Sequence, residues 1–131
     1  MSNKYQITVT KEQLKLIANC IEDCHRFISG ETEMQNSTMI LDNHREVKNK
    51  LRELHSVVVP ELHKECGYNA SYDWAGNGCK NIEQQKFIAS TYYIYREILH
   101  FLSKDKDNWN VYKSETLRCE NSGEPIKIIE L

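Results

Sequence analysis

The chemistry-bearing residues with the tightest spacing in this chain are Cys20, Cys24 and His25. Residues four apart share one face of a helix, so Cys20 and Cys24 would present two sulfurs side by side. Zinc sites combine such a pair with a second closely spaced pair of ligands, and Cys66 and Cys79 are too far apart to supply it. Because small buried cysteines on helices are common, the spacing favours packing in the core, and no metal site is predicted.

A second candidate lies between residues 92 and 100. Tyr92 and Tyr95 are three residues apart and Tyr92 and Arg96 are four apart, so on a helix they occupy neighbouring faces. Aromatic rings that stack a base and an arginine that holds phosphate are what a nucleotide pocket needs. The alternative is that Tyr95 packs in the core and the others lie at the surface. His100 either reaches a pocket or is an ordinary structural histidine.

The segment 67–80, GYNASYDWAGNGCK, is the least regular part of the chain. Long irregular loops in small domains tend to be functional. Its Gly76-Asn77-Gly78 precedes a predicted helix, where backbone N–H groups can cradle a phosphate. The full dinucleotide-binding and Walker patterns are missing, since Lys80 is followed by asparagine. A plain tight turn is therefore the competing interpretation.

Patterns of catalysis are not visible in the sequence. There is no GxSxG, no serine–histidine–acid order, no cysteine nucleophile motif and no HExxH. The sequence therefore predicts no catalytic residue and no cofactor.

The elements that must position these residues follow from apolar spacing. Tyr5, Ile7 and Val9 alternate with polar residues, as in a strand. Thr10 and Gln13 form a T-x-x-Q capping box for a first helix, with a predicted core stripe of Leu14, Ile17, Ala18, Ile21, Cys24 and Ile28 and a stop at Gly30.

A second helix follows Asp42, with a seam of Val47, Leu51, Leu54 and Val58. Pro60 must interrupt this helix or start a new turn, because proline has no backbone N–H. A third helix runs from near Asn81 to about Ser103. Two further strands are predicted, one over residues 109–112 and one after Pro125. These elements predict one domain over residues 1–131, of the α+β class, with mainly three helices and short N- and C-terminal strands forming a small sheet.

Composition narrows the class of protein. The chain has 131 residues and a net charge of −2, which argues against a protein that coats DNA. No apolar run approaches the length of a membrane span, and the N-terminus lacks the apolar region of a signal peptide. The odd number of cysteines, without a disulfide framework, indicates reduced thiols. A cytoplasmic protein is therefore expected.

Three segments resemble the first described group of Thoeris anti-defence proteins, a family of small phage and prophage proteins: YQITVTKEQLKLIANCIEDCHRFISGE, KFIASTYYIYREILHFL and LRCENSGEPIKIIEL. Together they cover about half of the chain. Members of that family are sponges, which bind the cyclised ADP-ribose signal of bacterial TIR-domain defence enzymes without degrading it. Related members capture cyclic oligonucleotide signals, and the family assembles as dimers or higher oligomers.

The resemblance implies a site for a ligand with two phosphates and an adenine. Such a ligand needs arginine forks, an aromatic platform and amides for the ribose. Trp74 or Tyr92 would be the platform, Asn77 the amide and three arginines the forks. Leu99 stands where the family has a basic residue, which shifts phosphate contacts to the remaining arginines. The implied ligand-binding residues are Arg26, Trp74, Asn77, Tyr92, Arg96, His100 and Arg118.

Two other functions remain open at this stage. The seam of Val47, Leu51, Leu54 and Val58 is also typical of a surface that docks a partner helix, as in a protein-binding inhibitor or adaptor. A small nucleotide-processing enzyme could use the same pocket as a sponge.

Overall fold

The computed structural model describes residues 3–64, 76, 79–103 and 125–131. In these residues the chain forms strand β1 (Tyr5–Thr8), helix α1 (Lys11–Ser29), a short 3-10 helix (Ser37–Ile40), helices α2 (His44–Glu53), α3 (His55–Leu62) and α4 (Ile82–Leu102), and strand β2 (Lys127–Glu130). The predicted α+β class, with terminal strands that pair in a small sheet, is confirmed. The predicted strand over residues 109–112 lies outside the described residues.

Helix α1 begins and ends where the sequence predicts. The backbone N–H of Gln13 donates to the hydroxyl oxygen of Thr10 at 3.1 Å, and the Gln13 side chain accepts from the N–H of Thr10 at 2.9 Å. At the other end Gly30 has φ 108°, the left-handed conformation that glycine adopts without steric cost. The capping box and the glycine stop are both confirmed.

Helices α1 and α4 form the centre of the fold. Gln84, in the first turn of α4, donates to the carbonyl oxygen of Ile28 at the end of α1, at 3.2 Å. Further along α4, Ile88 contacts His25, so the two helices run antiparallel. The fully buried apolar side chains between them are Ala18, Ile88 and Tyr95.

The apolar stripe predicted for the core on α1 is confirmed only in part: Ala18 is fully buried and Ile28 packs against buried Ile88, whereas Ile17 and Ile21 are half-buried. The buried residues of α1 are Ala18, Glu22, Asp23, His25 and Ser29. The two thiols predicted to pack in the core, at positions 20 and 24, are exposed, so that prediction is wrong. The prediction of reduced thiols is wrong at Cys79, which is disulfide-bonded.

The predicted second helix is two helices in the structure. The break falls at Leu54, whereas Pro60 lies inside α3. Proline lacks the backbone N–H that would donate to the carbonyl four residues earlier, and α3 ends two residues after it, at Leu62. The interruption expected at Pro60 therefore occurs six residues earlier.

The two-stranded sheet is antiparallel, with Tyr5 opposite Glu130 and Ile7 opposite Ile128. All eight residues of its strands are exposed. None of the helices in the described ranges is both long and apolar enough to cross a membrane.

Candidate functional site

His25 stands at the centre of the contact between α1 and α4. Its side chain is fully buried, and its Nδ1 lies 2.9 Å from the carbonyl oxygen of Ile88 and 3.1 Å from the hydroxyl of Thr91. A carbonyl oxygen can only accept, so Nδ1 carries the hydrogen. Burial lowers the pKa of His25 to about 4, with a smaller contribution from the charge of Arg26, so the ring is neutral at physiological pH.

Two tyrosine rings pack against this histidine. The ring of Tyr95 lies 5.4 Å from that of His25 and the ring of Tyr92 lies 5.7 Å from it. Tyr92 and Tyr95 meet nearly perpendicularly at 5.7 Å, an edge-to-face contact that aromatic pairs favour. Tyr95 is buried, and Tyr92 is half-buried. The cluster therefore holds Tyr92 in a fixed orientation at the border of the core.

Arg96 lies over the ring of Tyr92. Its guanidinium carbon is 5.5 Å from the ring centroid, within the range of a cation–π contact. Both side chains are half-buried, so each has a face against protein and a face toward solvent. We refer to these two residues as the Tyr92–Arg96 pair, which is the part of the predicted pocket that the described structure brings together.

Arg26, the other described arginine of the predicted site, has a different environment. Its Nε and Nη2 each donate to Glu22 at 3.1 Å, and its Nη1 donates to Glu31 at 2.7 Å. Although burial alone would lower the pKa of Arg26, these two carboxylates raise it above its usual value. These two carboxylates would compete with an anionic ligand for this guanidinium.

Beside Arg26, buried carboxylates hold the segment that follows α1. The backbone N–H groups of Asn36 and Ser37 donate to Asp23 at 3.0 and 2.6 Å, and the Asn36 side chain donates to Glu22 at 2.8 Å. We call Glu22, Asp23, Arg26, Asn36 and Ser37 the polar junction. Sequence reasoning missed it, because nothing local in the sequence shows which backbone donors will meet the two carboxylates.

Of the remaining predicted site residues, the structure describes one, His100. His100 is exposed near the end of α4, four residues after Arg96 and therefore on a neighbouring face. Trp74, Asn77 and Arg118 lie outside the described residues. Among the described residues, no group of three or more His, Cys, Asp or Glu side chains could hold a metal ion.

The predicted helix-docking seam is an open surface on α2. Val47 and Leu51 are half-buried and Leu54 is exposed. Together with Asn43, Glu46 and Lys50, they line a shallow groove of about 250 Å³.

Comparison with known proteins gives no match: no protein family, no curated protein and no solved structure is similar to this chain. The resemblance to the anti-defence family therefore stays a prediction, and the function has to be argued from the residues.

Proposed function

We propose that this chain is a phage anti-defence protein of the host cytoplasm. It binds and sequesters a cyclic nucleotide signal, glycocyclic ADP-ribose, without degrading it, and so inhibits TIR-based Thoeris defence. Cyclic oligonucleotides are a second candidate class of ligand. The protein acts as a homodimer or higher oligomer, has no catalytic residue and uses no cofactor.

The observation that carries this proposal is the Tyr92–Arg96 pair. Its guanidinium carbon lies 5.5 Å from the centre of the tyrosine ring, which the buried His25 and Tyr95 contact in turn. A guanidinium donates to phosphate oxygens, and an aromatic ring is a surface on which a nucleotide base can stack. The pair therefore provides a platform and an anion contact within one turn of α4.

We give the two arginines different roles. Arg26 is engaged by two carboxylates within the fold, so we assign it to the stability of the polar junction. We assign the phosphate contact to Arg96 because it lies beside the aromatic cluster of α4, where a base could stack.

Calorimetry with glycocyclic ADP-ribose tests this assignment. Wild-type protein should bind this ligand. Arg96→Gln should raise the dissociation constant at least about tenfold, because a charge-assisted hydrogen bond contributes about 1.5–3 kcal/mol. Arg45→Gln, which removes the same charge from an exposed position on α2, should bind like the wild type. No heat of binding from folded wild-type protein would contradict the proposal.

The second candidate function is a protein-binding inhibitor or adaptor, which the open groove on α2 favours. Leu51→Glu would place a charge in this groove. The adaptor function would replace the sponge if two results were obtained together. The wild type, but not Leu51→Glu, would capture a partner protein from host lysate, and neither protein would bind the nucleotide ligand.

A further inference from the structure

Cys20 and Cys24 carry two sulfurs on the outer surface of α1. Both residues are exposed, and neither sulfur is part of a disulfide. At about 100° per residue, Cys24 lies about 100° around the helix from the buried His25, and Cys20 lies about 160° from the buried Ala18. The two cysteines, which we call the thiol pair, are therefore on the side of α1 that is turned away from α4.

The four-residue spacing of the thiol pair suits a bridging ion better than a disulfide. Residues four apart on a helix have Cβ atoms about 5–6 Å apart, whereas a disulfide needs Cβ atoms about 3.5–4.5 Å apart. An intact α1 therefore keeps Cys20 and Cys24 from oxidising to each other. A metal ion with thiolate bonds of about 2.3 Å needs its two sulfurs within about 4.6 Å, which rotation about χ1 provides at this spacing.

The residues around the thiol pair determine which ion it suits. Its apolar neighbours one turn away are all half-buried: Leu16, Ile17, Ile21, Phe27 and Ile28. The one carboxylate at that distance, Asp23, accepts from the backbone N–H groups of Asn36 and Ser37. The pair thus offers two thiolates and no oxygen or nitrogen ligand from the same face of α1.

This donor set favours a soft monovalent ion over zinc. Zinc in proteins takes four ligands, or three and a water, and the described residues around the pair do not supply them. Soft thiolate ligands select Cu(I), an ion that forms stable complexes with two thiolates alone.

We propose that the thiol pair binds one Cu(I) ion, which bridges the two sulfurs across one turn of α1. Each thiol releases its proton to solvent as it binds, so one Cu⁺ replaces two protons and no electron is transferred. The ion binds on the face of α1 opposite to the contact with α4. Binding is therefore independent of the proposed nucleotide function.

Competition with the Cu(I) chelator bicinchoninate tests this site, under anaerobic conditions with ascorbate and without added thiols. The wild type should take up one equivalent of Cu(I) through the pair. Cys20→Ser and Cys24→Ser should each weaken the affinity at least about a hundredfold, because a second sulfur on the same turn acts at a high effective concentration. The double variant with both changes measures uptake by the other three cysteines.

A matched control separates the effect of spacing from the number of thiols. Cys24→Ser combined with Ser90→Cys keeps the number of thiols but moves one to an exposed position on α4. This separated pair should bind Cu(I) as weakly as Cys24→Ser alone. Circular dichroism establishes that each variant is folded.

Thermal unfolding provides an independent measurement. Because the ion bridges residues that are close together in the folded helix, Cu(I) should raise the Tm of the wild type and leave that of the separated pair unchanged.

Three results would overturn the proposal. The first is a wild type that binds Cu(I) no more tightly than the double variant. The second is a separated pair that binds as tightly as the wild type. The third is stoichiometric zinc binding in calorimetry that either serine variant abolishes, which would reassign the site to zinc.

Discussion

The polar junction and the exposed face of α4 show opposite relations between polarity and burial. At the polar junction, Glu22 and Asp23 are almost completely buried, and backbone and side-chain donors satisfy them. On α4, by contrast, Phe87, Ile94 and Phe101 are 42%, 49% and 59% exposed. The difference shows that directional hydrogen bonds, as well as apolar packing, organise the interior of the described fold.

The largest effect is expected from removing the carboxylate at the polar junction. Asp23→Ala leaves the backbone donors of Asn36 and Ser37 without their acceptor, so the free energy of unfolding should fall by about 2–3 kcal/mol. Urea denaturation measures it. Glu97→Ala, at an exposed position on α4, should change stability by less than about 0.5 kcal/mol. If the two variants lowered the free energy of unfolding equally, the polar junction would not stabilise the fold more than an exposed position does.

Lowering the pH tests the buried polar interior at His25. The pKa of His25 is about 4 in the folded chain and 6.5 ordinarily, so the unfolded chain binds the proton first as pH falls. The free energy of unfolding should therefore be highest above about pH 6.5 and should decrease as the pH falls toward 4. The loss between pH 7 and pH 5 should be on the order of 2 kcal/mol.

Urea denaturation at several pH values measures this loss. His55→Gln replaces an exposed histidine and should keep the full pH dependence, whereas His25→Gln should remove it. A pH dependence that survives in folded His25→Gln would assign it to another group.

A smaller effect is expected at the start of helix α1, just after strand β1. Thr10→Ala removes the hydroxyl that accepts from Gln13 and should cost about 1 kcal/mol. Thermal unfolding compares it with Ser90→Ala, which removes a hydroxyl from an exposed site on α4 and should be near neutral. If Thr10→Ala matched this control, the cap would not fix the start of α1.

The features that the sequence predicts correctly are those that depend on residues close together in the chain. The capping box at Thr10, the stop at Gly30 and the alternation of the two strands each depend on a few neighbouring residues. No local pattern in the sequence marks the break at Leu54.

The apolar spacing on α1 was predicted to mark the core, but the buried line runs through Ala18, Glu22 and His25. Of the other residues in that spacing, Ile28 packs against the core, Ile17 and Ile21 are half-buried, and Cys24 is exposed. Periodicity identifies an apolar face, but it does not say how completely that face is buried.

At the candidate site, residue types and helical spacing predicted the contact between Tyr92 and Arg96, which the structure shows. The engagement of Arg26 by Glu31 depends on the conformation of the chain after Gly30, which spacing does not predict.

The most direct test of the central claim is recovery of the ligand after binding. Protein incubated with glycocyclic ADP-ribose is separated from free ligand and denatured by heat, and the released material is analysed by chromatography and mass spectrometry. Sequestration predicts intact glycocyclic ADP-ribose in amounts that follow the protein. Recovery of hydrolysed product would show an enzyme, and recovery of no nucleotide would contradict the sponge function.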